Sequence, residues 1–448
     1  MNASDKDTIV AIATASGEGA IGIIRLSGPN AISISDQFFH GRTSLQHSLS
    51  HTLSYGQFRD RGQDLDQILA SVMRAPNSFT GEDTVELNCH GGPFLLRKLI
   101  GCLIHAGARP ASPGEFTKRA FLNGKLDLSQ AEAVADMITA TSDLGLQSAF
   151  FQLRGGLLTR FEAIAESLRS TAMLLEAGLD FSEDVDIDPQ AITPPLVESL
   201  NTIESLIASY ERGKIIREGV VVTLAGQPNV GKSSLLNRLL EEDRAIVTDI
   251  PGTTRDTIEE QIDLDGLTIT LVDTAGIRDT LDPVELEGTR RSQQSINKAA
   301  LVLHIVDGSL PPPDTFESLS LDNAFLVLNK CDLNTHHDWD RFSTSNPTLE
   351  ISAKTGHGIQ QLRSNIRQHL LGTADLPTEI ITRERHVLAL QFALDGLNRA
   401  LSSLNAASPG EIIALDLRLA LDALSEIIGQ TTPDDVLDRI FQSFCIGK

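Results

Sequence analysis

The sequence predicts a multidomain α/β protein, in which an α+β domain is followed by a helical domain that carries an inserted α/β domain. Short apolar strands separated by turns occupy residues 8–119, whereas the stretches after Ser129 and after Pro377 repeat apolar residues with the period of amphipathic helices. Short apolar runs typical of buried strands lie between these stretches. The predicted domains are residues 1–121 (α+β), 122–215 (helical, first part), 216–375 (inserted α/β) and 376–448 (helical, second part).

Local patterns predict the individual elements outside the insertion. Strands are expected at residues 9–13, 20–26, 68–73 and 84–89, and a helix is expected from Phe94 to His105, ending at Gly107. Amphipathic helices are expected at residues 131–138, 146–175, 196–210, 385–404 and 411–428. Thr432 is expected to cap a last short helix. Helices on both sides of the insertion are expected to pack together, because a domain inserts easily at an exposed loop.

Composition narrows the class of protein. A chain of 448 residues allows about three domains. Its four cysteines have no paired spacing, and no apolar run is long enough to span a membrane, so a cytoplasmic protein is expected. The net charge of −23 argues against an autonomous nucleic-acid binder. If the chain acts on RNA, we expect a basic partner or a local patch such as Arg109–Arg119.

A phosphate-binding loop follows the first predicted strand of the insertion. The segment Gly226-Gln-Pro-Asn-Val-Gly-Lys232-Ser233 stands between the apolar run 220–225 and a predicted helix. Its glycines allow backbone N–H groups to surround phosphates at the positive end of the helix dipole. We expect Lys232 to reach the β- and γ-phosphates and the Ser233 hydroxyl to bind Mg²⁺.

Further motifs follow in the order expected of a guanine-nucleotide-binding protein. Asp273-Thr-Ala-Gly276, Asn329-Lys-Cys-Asp332 and Ser352-Ala-Lys354 each follow an apolar strand. The Asp332 carboxylate can accept hydrogen bonds from guanine N1 and N2, which adenine does not offer. The motifs together predict a P-loop G domain. The predicted GTP-binding residues are Asn229, Val230, Gly231, Lys232, Ser233, Ser234, Thr248, Asp249, Ile250, Pro251, Gly252, Thr253, Thr254, Asp273, Thr274, Ala275, Gly276, Asn329, Lys330, Asp332, Ser352, Ala353 and Lys354.

The residues that would promote hydrolysis are less obvious. Ile277 stands where Ras-like enzymes have the glutamine that orients water. One alternative is a monovalent cation held by the side-chain oxygen of Asn229, although Asn is also common in such loops for structural reasons. The second alternative is an acid after Ile277. The candidates are Asp279, Asp282, Glu285 and Glu287.

Two clusters outside the insertion have either a functional or a structural explanation. Residues 79–92 and 113–127 are dense in Gly, Pro and charge, which usually indicates turns. The C-terminal Phe444-Cys445-Ile-Gly-Lys448 is most simply a loose tail, although an isolated cysteine beside a basic group can be an activated thiolate.

Taken together, these segments resemble the bacterial and organellar tRNA-modification GTPase family called MnmE or TrmE. The resemblance covers essentially the whole chain, and Phe79 and Pro251 are minor departures from the family pattern. The segments that carry it are 22–28, 79–83, 90–92, 113–128, 248–256, 273–276 and 445–448.

The resemblance implies roles for particular residues. It implies a potassium site formed by Asn229 with Thr248, Ile250 and Thr253, and Mg²⁺ ligands at Ser233 and Thr254. It also implies that Glu285 aligns the attacking water and that Cys445 takes part in catalysis of the modification. The implied contacts to a 5-formyl- or methylene-tetrahydrofolate are Arg25, Glu82, Lys125 and Lys448.

The resemblance also implies a reaction and partners. The family adds an aminomethyl or carboxymethylaminomethyl group to C5 of the wobble uridine, position 34, of certain tRNAs. The expected assembly is a homodimer that forms a heterotetramer with an MnmG/GidA-type partner, which uses FAD and NADH. The alternative is a regulatory GTPase of ribosome assembly whose N-terminal domain is a docking module. The folate cluster and the Cys-Ile-Gly-Lys ending discriminate between them, because an assembly factor has no use for either.

Overall fold

We analysed a computed structural model, which describes residues 7–180, 189–242, 259–273, 299–312, 323–341, 347–372, 379–406 and 408–448. It contains two compact units. The first comprises residues 1–138, 150–201 and 389–448, and the second comprises residues 139–149 and 202–388. Helices that precede the second unit's sheet in the sequence and helices that follow it therefore both belong to the first unit. The four-part organisation expected from the sequence stays a prediction.

The first unit contains a mixed sheet of seven strands. The strands are β1 Ile9–Ile12, β2 Gly19–Ser27, β3 Phe39–Gly41, β4 Thr52–Asp60, β5 Gln63–Met73, β6 Thr84–Gly91 and β7 Arg109–Pro110. Their order is β3-β4-β5-β6-β2-β1-β7, and all neighbours are antiparallel except β1 and β7. Helices α1 Ala31–Asp36 and α2 Pro93–His105 contribute to the core beside the sheet, and α3 Glu115–Leu122 follows β7.

Among the residues that the structure describes, ten further helices and a second sheet follow these elements. The helices are α4 Leu128–Thr139, α5 Asp143–Leu153, α6 Gly156–Asp180, α7 Pro189–Ala208, α8 Tyr210–Glu218, α9 Lys232–Glu242, α10 Ile359–Leu371, α11 Glu384–Asn405, α12 Gly410–Ile428 and α13 Asp434–Gln442. Within the first unit α12 packs along α6. Phe441 and Phe444, in and after α13, form a small core with Leu128 and Ala131 of α4.

The second unit is built on a six-stranded sheet. Its strands are β8 Val220–Ala225, β9 Glu259–Leu264, β10 Leu267–Asp273, β11 Leu301–Asp307, β12 Ala324–Asn329 and β13 Thr348–Glu350. The order is β13-β12-β11-β8-β10-β9, and only the β9–β10 pair is antiparallel. The apolar runs of β8, β10, β11 and β12 are almost fully buried, as expected for parallel strands covered on both faces. Short 3-10 turns follow β12 at Cys331–Leu333 and at His337–Arg341.

Two local predictions were wrong in detail. The helix expected at residues 146–175 is two helices, because Gly155 adopts a left-handed φ of 81° between α5 and α6. Thr432 does not cap α13: its hydroxyl donates to the carbonyl oxygen of Glu426, and the residue before the helix is Pro433. In the described part of the chain, no helix combines the length and apolarity needed to cross a bilayer.

Candidate nucleotide site and folate cluster

The candidate nucleotide site lies at the carboxyl edge of the parallel sheet in the second unit. β8, β10 and β12 all end at this edge, where Ala225, Asp273 and Asn329 are their last residues. Ligands of open parallel sheets bind outside the carboxyl ends of the strands, where neighbouring connections diverge. The fold therefore brings together motifs that are separated by more than a hundred residues in the sequence.

The phosphate loop has the conformation that its glycines predict. Gly226 and Gly231 adopt φ values of 150° and 99°, and a Cβ at Gly226 would collide with the carbonyl oxygen of Ile305. Asn229 also has a positive φ, 65°, which Asn tolerates better than most residues. The loop leads directly into α9, so its N–H groups and the helix N-terminus form an anion-binding cradle.

Lys232 and Ser233, which are predicted to contact phosphate and metal, stand at the start of α9. The buried Lys232 ammonium donates to the carbonyl oxygens of Gly226 and Gln227, both at 2.9 Å, so it lies over the loop. The Ser233 hydroxyl donates to Asp273 Oδ2 at 3.3 Å. A hydroxyl oxygen and a carboxylate oxygen so close together are hard ligands of the kind that Mg²⁺ prefers.

Asn329 connects the phosphate loop to the segment after β13. It is 2% exposed; its Nδ2 donates to the carbonyl oxygen of Val230 at 2.8 Å, and its Oδ1 accepts from the backbone N–H of Ala353 at 3.0 Å. A buried amide with both polar atoms paired holds its partners in a fixed relation. Asn329 therefore couples the predicted phosphate and base contacts.

The predicted base-recognition residues meet beside Asn329. The Ser352 hydroxyl donates to Asp332 Oδ1 at 2.7 Å and accepts from the backbone N–H of Thr355 at 3.1 Å. Ser352 is fully buried, while Asp332 is exposed. The hydroxyl therefore orients one carboxylate oxygen from behind, and the carboxylate remains accessible to a base.

Two side chains that were not predicted from the sequence, Arg238 and Asp307, also support this site, together with the predicted Lys330. Arg238 of α9 donates to the carbonyl oxygens of Ala353 at 3.2 Å and Lys354 at 2.8 Å. Lys330 Nζ donates to Asp307 Oδ2 at 2.7 Å and to the carbonyl oxygen of Asn229 at 3.0 Å. Position at a strand end is the signal that could have revealed Asp307.

Two titratable side chains in the site, Asp307 and His304, have shifted pKa values. Burial raises the pKa of Asp307, but the Lys330 ammonium and hydrogen bonds from Ser309 outweigh it and leave the pKa below its usual value. Burial also lowers the pKa of His304 on β11, and the nearby Lys232 ammonium lowers it further. His304 is therefore neutral at pH 7.

Other predicted nucleotide-site residues lie outside the described residues. They are Thr248, Asp249, Ile250, Pro251, Gly252, Thr253, Thr254, Thr274, Ala275, Gly276 and Glu285. Of the predicted potassium ligands, only Asn229 is described.

The predicted folate residues lie in the first unit, around the turn between β5 and β6. Arg25 of β2 pairs with Glu86 of β6 at 2.8 Å, and its guanidinium lies 5.9 Å from the ring centre of Phe79 and 5.7 Å from that of Phe116. The two aromatic rings and the carboxylate fix the guanidinium in place. Because Arg25 and Glu86 are register partners, the sheet itself creates this pair.

Glu82 joins a second network through Arg119. The Ser27 hydroxyl donates to Glu82 Oε2 at 2.7 Å, and Arg119, 6% exposed, donates to the same oxygen at 3.2 Å. Arg119 also pairs with Asp7 at 2.6 Å and Glu115 at 3.1 Å. The hydrogen bond from Arg109 is the main cause that lowers the pKa of Asp7.

Ion pairs neutralise the basic residues that were expected to form a patch at residues 109–119. Arg109 pairs with Asp7 and Glu115, both at 2.6 Å, and Lys118 pairs with Asp438 at 2.6 Å. Burial raises the pKa of Glu115, but hydrogen bonds from Arg109 and Arg119 outweigh this effect and leave the pKa below its usual value. This carboxyl therefore stays ionised. Neighbouring carboxylates neutralise these cations, which favours the other expectation, a basic partner; an RNA-binding patch here stays an untested prediction.

The C-terminal segment is not a loose tail. The carbonyl oxygen of Cys445 accepts from the backbone N–H of Gly114 at 3.3 Å, and that of Gly447 accepts from Arg25 at 3.3 Å. A Cβ at Gly447, whose φ is 96°, would collide with the carbonyl oxygen of Ile12. The Cys445 side chain is exposed and Lys448 is half-buried. The backbone of the tail therefore lies beside Arg25, and the folate contact of Lys448 stays a prediction.

Lys125 contacts the turn between β5 and β6. Its ammonium donates to the carbonyl oxygen of Pro76 at 3.0 Å, and Asn123 donates to the carbonyl oxygen of Thr80 at 2.7 Å. These bonds tie residues 123–125 to the turn that carries Phe79 and Glu82. The structure thus gathers all four predicted folate residues around one turn and the end of the chain.

The second unit is a P-loop domain of the GTPase class, and the chain joins it to an α+β unit and to helices. A family model described as the MnmE helical domain matches residues 128–445, and one described as the GTP-binding protein TrmE N-terminus matches residues 8–125. The tRNA modification GTPase MnmE of Syntrophotalea carbinolica is 45% identical over 454 residues, covering 99% of this chain and 99% of that protein. The Geobacter sulfurreducens protein of that name is 44% identical over 462 residues, again covering 99% of each chain. The chain therefore belongs to the MnmE family.

Among solved structures, the G domain of the T. maritima FeoB iron transporter is 26% identical, with a TM-score of 0.26. The match covers 34% of this chain and 98% of that one. Because this TM-score is below 0.5, the assignment of the second unit depends on the strand order and loop geometry described above.

Proposed function

We propose that this chain hydrolyses GTP and acts in the modification of tRNA. Its relatives are named tRNA modification GTPases and match it from end to end. The observation that carries the GTP assignment is the buried Asn329, which ties the phosphate loop to the Asp332–Ser352 pair. A carboxylate oriented in this way can accept both guanine N–H donors, and adenine would leave it unpaired.

We further propose that hydrolysis uses Mg²⁺ and K⁺. Ser233 and Asp273 supply oxygens suited to the Mg²⁺ shell, together with Thr254. Asn229 stands on the loop, where a side-chain oxygen can hold K⁺ with Thr248, Ile250 and Thr253. The cation supplies positive charge beside the phosphates, and Glu285 is assigned to align the attacking water.

The folate proposal is supported by the chemistry of the gathered donor set. A reduced folate presents a pterin with neighbouring N–H donors and a tail with carboxylates. Glu82 can accept from the pterin, while Arg25, Lys125 and Lys448 can bind negatively charged oxygens. The aromatic rings of Phe79 and Phe116 beside Arg25 add flat apolar surface. The folate carries the one-carbon unit when bound.

A homodimer is the proposed assembly, supported by an apolar patch on the first sheet. Tyr55 and Leu69 are register partners on β4 and β5 and are 64% and 41% exposed. Leu53, two residues before Tyr55, is 66% exposed. A contiguous exposed apolar patch typically marks a contact site, and a two-fold axis would pair it with itself.

The proposed reaction adds an aminomethyl or carboxymethylaminomethyl group to C5 of the wobble uridine. A separate partner of the MnmG/GidA type supplies FAD and NADH, and forms a heterotetramer with the dimer. The basic surface that an acidic chain needs in order to meet tRNA would come from that partner, since Arg109, Lys118 and Arg119 are ion-paired.

Mass spectrometry of wobble uridines from cells lacking the gene tests this proposal. We expect the modified nucleosides to disappear and to return with the wild-type gene. Unchanged nucleosides would refute the tRNA assignment and favour the ribosome-assembly alternative. Binding of 5-formyl-tetrahydrofolate to purified protein separates the two again, because a docking module has no reason to bind a folate.

A further inference from the structure

A compact group of metal-ligating side chains lies outside both clusters. His336, His337 and Asp338 each offer one ligand atom, and these atoms all lie within 4.8 Å of one another. Asp338 Oδ2 is 3.5 Å from His336 Nδ1, and Asp338 Oδ1 is 3.5 Å from His337 Nε2. Neither the nucleotide contacts nor the folate contacts use these residues.

The spacing suits a small divalent cation. Ligand atoms about 2.1 Å from a tetrahedral zinc ion are about 3.4 Å apart. Both imidazole–carboxylate separations match that value before any side-chain adjustment. The backbone N–H of Asp338 donates to His336 Nδ1 at 3.3 Å, so that nitrogen presents a lone pair towards the group. The lone pair can bind a metal in place of this long hydrogen bond.

The segment is held in place from behind. The backbone N–H of His336 donates to the carbonyl oxygen of Gly308 at 2.8 Å. The next residue after the group, Trp339, is 4% exposed, packs on Val306, Leu326 and Leu328, and donates from Nε1 to the carbonyl oxygen of Leu310 at 2.9 Å. Cation binding therefore requires little ordering of the backbone, which lowers its entropic cost.

We propose that His336, His337 and Asp338 form a binding site for a divalent transition-metal cation of the zinc, nickel or copper class. Imidazole nitrogen favours these cations, whereas Mg²⁺ and Ca²⁺ favour oxygen ligands. His336 and Asp338 are half-buried and His337 is exposed, so water can complete the coordination. The net charge of −23 raises the local concentration of cations further.

Trp339 gives a direct measurement, because it is the single tryptophan of the chain and adjoins the group. Untagged full-length protein is titrated with Ni²⁺, a paramagnetic ion that quenches tryptophan emission at short range. We expect saturable quenching by one equivalent, reversed by Zn²⁺ and not by excess Mg²⁺. His336→Ala and His337→Ala should each weaken Ni²⁺ binding at least about tenfold, because even outer-shell changes often cost that much.

Matched variants separate this site from other metal ligands. Cys331→Ser removes a nearby thiol outside the group, and His51→Ala removes an exposed imidazole elsewhere, so both should bind Ni²⁺ as the wild type does. Circular dichroism of each variant without metal checks that the fold is retained. Quenching that does not saturate, displacement by Mg²⁺, or equal titrations in the wild type and both histidine variants would overturn the proposal. Loss of binding in Cys331→Ser would overturn it too, by moving the site to the thiol.

Discussion

The nucleotide site and the folate cluster are built in opposite ways. In the nucleotide site, short motifs at strand ends are held mainly by backbone groups, as when Asn329 bonds Val230 and Ala353. In the folate cluster, charged side chains from distant segments hold one another. Arg119 pairs with Asp7 and Glu82, and Arg25 reaches a carbonyl 422 residues away.

This difference determines how each site should respond to substitution. A site made by backbone geometry keeps its shape when one side chain is removed, so the loss appears mainly in chemistry or binding. A site made by mutual ion pairs loses its shape when one member is removed, because a buried charge is left without its partner.

Removing the proposed potassium ligand should cause the largest loss. Asn229→Ala should lower GTP turnover in K⁺ roughly 10³-fold, the scale of an arginine finger, because the cation supplies comparable charge. The rate in Na⁺ should barely change. Steady-state phosphate release in both salts measures this effect. Asn237→Ala, at an exposed position on α9, is the matched control. Equal wild-type rates in K⁺ and Na⁺ would refute the prediction.

Removing the central cation of the folate cluster should act on stability instead. Arg119→Met should destabilise the first unit by about 3 kcal/mol, because the pair between the buried guanidinium and Glu82 is lost and Asp7 and Glu115 are left with Arg109. GTP hydrolysis should stay near normal. Calorimetric unfolding measures the shift. Lys118→Met is the neighbouring control, since its pair with the exposed Asp438 should contribute at most about 1 kcal/mol. Similar shifts for the two variants would contradict the proposed role of the network.

The contrast also explains what the sequence could predict. β8, β10, β11 and β12 are rich in apolar residues on both faces, so burial on both faces made them recognisable. β4 was missed because its apolar residues lie on both faces, with Leu53 and Tyr55 exposed and Phe58 buried, so polar and apolar residue types do not alternate along the strand. β9 was missed although Asp265-Gly266, both with positive φ, is a strong hairpin signal.

The site residues also differ in whether the sequence alone could predict their positions. The strand-end motifs of the G domain could be placed from sequence, since parallel strands bring their carboxyl ends to one edge. The pairing of Arg119 with Asp7 could not, because nothing local in the sequence indicates which carboxylate a buried guanidinium will meet. The docking of the tail depends on a close approach of Gly447 to Ile12, which again only the assembled fold reveals.

Substitution of the base-recognition residue Asp332 should have a smaller effect than substitution of Asn229 or Arg119. Asp332→Asn should weaken GTP binding about 10²-fold, because hydrogen bonds to a charged acceptor contribute about 1.5–3 kcal/mol each. Preference for GTP over ATP should fall by a similar factor, while the fold of the second unit is retained. Ser352→Ala removes only the support for Asp332 and should have a weaker effect in the same direction. Competition binding with a fluorescent GDP measures both variants, and an unchanged GTP preference in Asp332→Asn would exclude this residue from base recognition.

The smallest expected effect on GTP hydrolysis comes from the end of the chain. Cys445→Ser should leave hydrolysis within about twofold of normal, since a thiol has no role in phosphoryl transfer. It should also leave the tail docked, because Cys445 bonds Gly114 through its backbone carbonyl and its side chain is exposed. We nevertheless expect tRNA modification to fail, because the thiol lies on the segment that reaches Arg25.

Gly447→Ala is the complementary variant: a side chain there would collide with Ile12 and undock the tail while the thiol remains. Wobble-uridine analysis of both strains separates chemistry from packing. Full modification in Cys445→Ser together with loss in Gly447→Ala would assign the tail to packing alone and leave the folate contacts to Arg25, Glu82 and Lys125.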